Sequence, residues 1–341
     1  MLPRRRRGRL SAMADKGKPL VTLRAWHRPL VVLAGAMGVL CAVSLLGLLL
    51  DDRTLVNAPI WLKPFKFSVS IGLYALTLAW LLTHVRRGRR AGWWFGTLFA
   101  AGIGLDFALL VWQIIVRGRT LHFNQSTPMD AAINNVVAGG AYTAWSMTAA
   151  VAVLLLFQRI PDRALRSALR WGAGLAVVGM YVATLMFTAT PAQQAVLEAN
   201  GKFSTFGAHS VGVDDGGPGL PVVGWSTVGG DLRIPHFVGI HALQVLPLVA
   251  FGLLLLARRY RVLESDVVRR RLVRTTGAGY AGLIALLTWQ AERGQSIVHP
   301  DFWTLAAVTG LIAGLAVAGT LSLRSLPRER VVSAEILRSA R

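Results

Sequence analysis

Long apolar runs dominate this chain, and eight can be marked, at about residues 29–50, 65–85, 93–116, 132–157, 171–190, 236–257, 275–290 and 302–323. A run of about 20 apolar residues crosses the hydrocarbon core of a bilayer as a helix. None of the eight shows the strict alternation of a half-buried strand or the narrow stripe of a soluble amphipathic helix. The pattern predicts an all-α membrane protein of about eight transmembrane helices. Most connections are short, as antiparallel neighbours require. The exception is 191–235, where Asp214-Asp215-Gly216-Gly217-Pro218-Gly219 predicts turns and mobility rather than a separate domain.

Composition agrees with that pattern. Apolar residues make up 54% of the chain and charged residues only 16%, against about a quarter charged in soluble domains. A net charge of +21 would suit nucleic acid if it gathered on one face, but it does not. Alternate non-span segments hold 29 of the 37 Lys and Arg residues. Basic loops stay in the cytosol. Both termini and the segments 86–90, 159–170 and 258–274 are therefore expected there, with the protein in the plasma (inner) membrane. The charge reads as a topology signal and a match to anionic lipid at the cytoplasmic face, not as a nucleic-acid site. The tail 1–28 carries Arg4-Arg5-Arg6-Arg7 and precedes an apolar run too long for a cleavable signal, so an uncleaved anchor is expected. Cys41 is alone, which excludes an intramolecular disulfide, and the 32 Arg against 5 Lys fit a GC-rich bacterial genome.

An internal repeat runs through the chain. Trp112-Gln113, Arg117-Gly118 and His122 end one span, and Trp289-Gln290, Arg293-Gly294 and His299 end another; in both, Trp-Gln precedes His by ten residues. Lys63-Pro64-Phe65-Lys66-Phe67 and Arg233-Ile234-Pro235-His236-Phe237 open two further spans, which run into Arg86-Arg87 and Arg258-Arg259. Duplication of a four-helix unit would divide the chain into a basic tail 1–28, repeats 29–166 and 167–323, and a second basic tail 324–341. The two repeats would be related by a pseudo-twofold axis along the membrane normal.

Polar residues gather towards the expected outer side. Ionisable groups inside spans are costly and mark pathways or bound groups. The densest motif runs Asp231-x-Arg233-x-Pro235-His236-Phe237-x-Gly239-x-His241-Ala242-Leu243-Gln244. His241 lies about 7–8 Å deeper than His236 at 1.5 Å per residue, and shares a face with Gln244. Pro247 predicts a kink beyond them. Thr127, Pro128 and Asp130 fit N-cap, N1 and N3 of a helix, with Asn134 one turn deeper. Asp106, Gln113 and Arg117 fall on one helical line, and Asp106 is expected either to pair with an Arg or Lys from another helix or to serve as a proton or cation site. On the second span Lys63 suits a lysine that reaches lipid headgroups, while Lys66 lies deeper. Helix–helix hydrogen bonding accounts for His241 and Gln244 as well as ligand binding does. The Lys-Pro-x-Lys-Phe, His122-Phe123-Asn124 and Asp231–Gln244 motifs resemble those of an uncharacterised family of bacterial integral membrane proteins, a likeness that implies the membrane fold and no particular activity.

Three functions remain open on these residues. The first is binding or transport of a small ligand through a polar pocket open to the outside, lined by His241, Gln244, Asn134, Asp106, Arg233, Arg293 and Lys66. The second is a redox protein with haem or a transition metal on His122, His236, His241 and His299, since imidazole is a common metal ligand. The third is a lipid-interface enzyme with Asp and His as acid and base. No Walker loop, nucleophile elbow, cysteine pair or His-Glu-x-x-His helix occurs.

Overall fold

The computed structural model describes residues 25–324. The apolar runs become long helices: α1 (Arg28–Leu50), α2 (Leu62–Leu82), α3 (Arg89–Val111), α4 (Pro128–Leu156), α5 (Arg163–Val182), then the short α6 (Pro191–Asn200), and α7 (Arg233–Leu256), α8 (Asp266–Glu292) and α9 (Phe302–Leu323). Seven of them are long and apolar enough to cross a bilayer. This is an all-α, multi-pass membrane protein. Besides the short α6, the helix not among the seven is α8. It begins nine residues before the apolar stretch at 275, and its first turns carry Arg269, Arg270, Arg271 and Arg274.

The helix ends follow local chemistry. Thr127 caps α4, taking the amide of Asp130 at 3.2 Å, with Pro128 in the first turn, as the sequence predicts. α3 does not stop at Val111 but widens into a π-helical turn, Trp112–Val116. α7 runs through Pro247 as one helix. The connection expected to hold only turns is more ordered than that. It contains α6 with its Thr190–Gln193 capping box, and an antiparallel pairing of Ser210–Val211 with Gly230–Asp231.

Neighbours pack in the same order in both halves. In the first, α1 packs on α2, α3 on α4, and α3 also on α1 and α2; in the second, α5 packs on α7, α8 on α9, and α8 also on α5 and α7. Contacts of α4 with α5 and of α2 with α7 join the halves. Without a hydrophobic drive between helices in lipid, close backbone approach supplies van der Waals energy. The tightest case is α5 on α7, where a Cβ on Gly179 would stand 2.4 Å from the Gly239 carbonyl carbon. His236 Nδ1 lies 2.8 Å from the Gly179 carbonyl at the same crossing.

The bundle has two unlike ends. One bears the turns 83–88, 157–162 and 257–265 and is rich in arginine. There Gln158 binds a distant turn: Oε1 accepts from the amides of Arg86 (2.8 Å) and Arg87 (3.0 Å), and Nε2 donates to the Arg87 carbonyl (3.0 Å). The other end, the loop end, bears the connections 51–61, 117–127, 188–232 and 293–301.

Candidate functional site

The site is built where α2 meets α7 at the loop end. Lys63, Lys66, Phe67 and Ser70 recur at helical spacing and share one face of α2. Facing them, α7 starts directly after the Ser210–Val211/Gly230–Asp231 pairing, which fixes Asp231 at 1% exposure. The Asp231 carboxylate accepts the Ser226 amide at 2.8 Å and the Arg233 guanidinium at 2.5 and 2.9 Å, so Arg233 is held at the mouth of the helix pair.

Three cations converge there. Lys66 and Arg233 lie within electrostatic reach of Lys63. The Lys63 ammonium sits 2.9 Å from His122 Nδ1, and Phe67 stacks on the same imidazole at 6.2 Å. Burial pushes the His122 imidazole well below its ordinary range, and the charges of Lys63 and His209 push it further. The ring is therefore neutral, and its Nδ1 accepts the ammonium proton. Lys63 thus turns inward, rather than reaching lipid headgroups as its position suggested.

Lys66 and Arg233 are bound by the long connection. Lys66 Nζ donates to the Val223 carbonyl at 2.9 Å, and Arg233 Nη2 to the Gly224 carbonyl at 2.6 Å. Two carboxylates lie near, one paired with a cation of the cluster and the other with a histidine. Asp231 holds Arg233. Asp215 sits 2.9 Å from His209 Nδ1 and accepts the amides of His209 and Ser210. Burial pushes the Asp215 carboxyl up, but the His209 and Ser210 hydrogen bonds outweigh it and hold it at about 2. Neither lysine forms a salt bridge among the described residues.

A polar ladder continues below. Ser70 Oγ lies 3.1 Å from His241 Nε2, across the α2–α7 contact. Phe237 meets His241 at 4.3 Å with the rings tilted by 59°, and Trp225 at 5.9 Å. One turn deeper, both amide atoms of Gln244 are buried without a formed hydrogen bond among the described residues, although His241 lies close by.

The remaining predicted site residues are placed elsewhere. Asn134 Oδ1 accepts the Phe123 amide at 2.8 Å, a structural bond to a residue with φ 65°. Asp106 is 7% exposed and, among the described residues, finds no Arg or Lys partner and no hydrogen bond to Oδ1; its carboxyl lies against Gly140, whose missing side chain makes the room. Arg293 binds Asp301 and lies over the Trp289 ring at 4.5 Å. His122, His236 and His241 have the separate partners given above, and His299 is exposed. Among the described residues no three His, Cys, Asp or Glu side chains come together as a metal site, so the four histidines do not form a shared ligand set.

Sequence reasoning missed the binding of Asp130. This fully buried carboxylate receives Gln113 (2.8 Å), Arg117 (3.0 Å), Arg119 (2.6 Å) and Thr127 (2.7 Å). The repeated Trp-Gln and Arg-Gly motifs make matching helix ends. Gln113 donates to the Thr120 carbonyl and Gln290 to that of Ser296. Arg117 lies over Trp112 at 5.2 Å, as Arg293 does over Trp289. Each arginine binds an aspartate in the first turn, or at the cap, of the next helix. Gly118 and Gly294 close both turns at φ 61° and 68°.

No family model, curated protein or solved structure matches the chain.

Proposed function

We propose that this protein binds, and carries in or across the membrane, a small negatively charged solute admitted at the loop end between α2 and α7. One observation carries the reading. Lys63 and Lys66 lie within electrostatic reach of Arg233 at partly buried positions, and the carboxylates in reach are taken by Arg233 and His209. Asp231 offsets Arg233 alone, so the two lysines stand near each other and away from bulk water without a salt bridge, and such an arrangement suits a site completed by an anion. His122 positions Lys63, while Ser70 and His241 extend the lining inward.

The loop end is the extracytoplasmic one in this reading. Its opposite carries the arginine-rich turns, which favours cytosolic termini in a bacterial inner membrane. The matching Trp-Gln and Arg-Gly helix ends support duplication of 29–166 as 167–323. The α2–α7 contact would then lie at the pseudo-twofold axis, where parallel-repeat transporters place their sites.

Titration calorimetry of the purified protein in detergent, with inorganic phosphate and with succinate, tests the proposal. Saturable binding that Lys63→Gln and Lys66→Gln each weaken at least tenfold is expected, with no response to choline. Binding of neither anion, or binding unchanged in both variants, would overturn it.

A further inference from the structure

We infer that the ligand is a small oxyanion, a carboxylate or a phosphate group, and that the turn Pro221–Gly224 is a built-in stand-in that it displaces. This rests on the anion-site reading above. Two consecutive carbonyl oxygens, of Val223 and Gly224, accept from two different cations, Lys66 and Arg233. A carbonyl oxygen meets the geometry of those donors but brings only a partial charge. An oxyanion offers two oxygens for the same two bonds with full charge, and charge-assisted bonds are about twice as strong.

The turn is also made to leave. Val222 holds φ 65°, left-handed backbone that a β-branched residue rarely adopts. The residue is 61% exposed, so little packing offsets the strain. The turn is closed by its own bonds, Gly224 amide to Leu220 carbonyl and Val223 amide to Pro221 carbonyl. Its base is anchored separately: Gly219 bridges to Ser226, Ser226 is tied to Asp231, and Asn57 donates to the Gly216 carbonyl at 3.1 Å. The tip can therefore swing away while the flanks stay.

Two substitutions outside the cation set move the equilibrium in opposite directions. Val222→Gly relieves the left-handed strain and steadies the docked turn. Val222→Pro fixes φ near −65° and forbids it. Apparent affinity scales with the fraction of undocked protein. The phosphate Kd of the full chain should rise about threefold or more in Val222→Gly and fall in Val222→Pro. Hydrogen exchange supplies a second measurement on the unaltered protein: the amides of 218–227 should exchange faster with saturating phosphate, and in Lys66→Gln without it. Nanodiscs of phosphatidylcholine, with and without phosphatidylglycerol, separate the two sources of oxyanion. A lipid headgroup in the site would speed exchange and raise the phosphate Kd only in the anionic discs, whereas a soluble ligand would leave both unchanged. Phosphate binding that depends on Lys66 but leaves the exchange of the turn and both Val222 affinities within twofold would overturn the stand-in and spare the anion site. Failure of phosphate, succinate and anionic lipid alike would overturn both.

Discussion

The crossing of α5 and α7 makes a single methyl group act with opposite sign at two positions of one helix. At Gly179 an added Cβ would lie 2.4 and 2.5 Å from the carbonyl carbon and Cα of Gly239. Carbon atoms settle at about 3.5–4.0 Å, so the two backbones must part by roughly 1 Å. No side-chain rotation can relieve the clash, because the obstacle is main chain. Separation also stretches the His236–Gly179 contact and loosens the fully buried Ala242, Leu243 and Leu246. Overpacking costs about 1–3 kcal/mol, and an unyielding backbone places Gly179→Ala near ~3 kcal/mol. Gly174, five residues earlier on α5, has nothing within 4 Å of its Cβ position. Gly174→Ala gains helix propensity alone, up to about 1 kcal/mol in favour of folding. Reversible unfolding in mixed micelles of rising SDS fraction, followed by circular dichroism, reads both. The reasoning is refuted if Gly179→Ala stays within about 0.5 kcal/mol of the wild type, or if both variants move the same way.

Asp130→Asn should destabilise by about 1–3 kcal/mol, since it weakens the buried hydrogen-bond cluster and leaves the part-exposed Arg117 and Arg119 without their counter-charge; an unchanged SDS midpoint would show the cluster to be ornamental. Burial lowers the pKa of His27, His84 and His122, so between the ordinary histidine value near 6.5 and their lower folded values the unfolded chain binds more protons. Stability should accordingly be full above about pH 7 and fall on acidification to pH 5, less steeply in His122→Gln; a Tm that stays flat or rises would contradict this. Gln158→Leu leaves the Arg86 and Arg87 amides unpaired, and trypsin should then cut at 86–90 at least several times faster than in the wild type.

The helices were legible because a membrane imposes length and apolarity on each span, and α4 was legible down to its Thr127 cap. The start of α8 was not, because arginines outside the bilayer continue the helix without an apolar signal. Asp106, Gln113 and Arg117 fall on one helical line and all three face α4, but Asp106 lies about two turns deeper than Gln113. Gln113 and Arg117 meet at Asp130, while Asp106 faces Gly140 instead. At the candidate site, Lys66, Arg233 and His241 stood out as polar groups in apolar surroundings. Their partners did not, since the carbonyls of Val223 and Gly224 are main-chain groups that every residue carries. In sequence Lys63 looks like a headgroup anchor, because nothing local marks His122, 59 residues away, as its acceptor.

The Gln158 clamp bears on the order in which the chain is assembled. A side chain 72 residues downstream supplies the hydrogen bonds that finish the turn after α2. During synthesis, α1, α2 and α3 enter the bilayer before Gln158 has been made, so the Arg86–Arg87 turn stays incomplete until α4 has been threaded through. A ribosome-bound chain ending before residue 158 should therefore expose that turn, and the arrival of α4 closes it. The first half of the protein is locked from behind, by the last residue it needs.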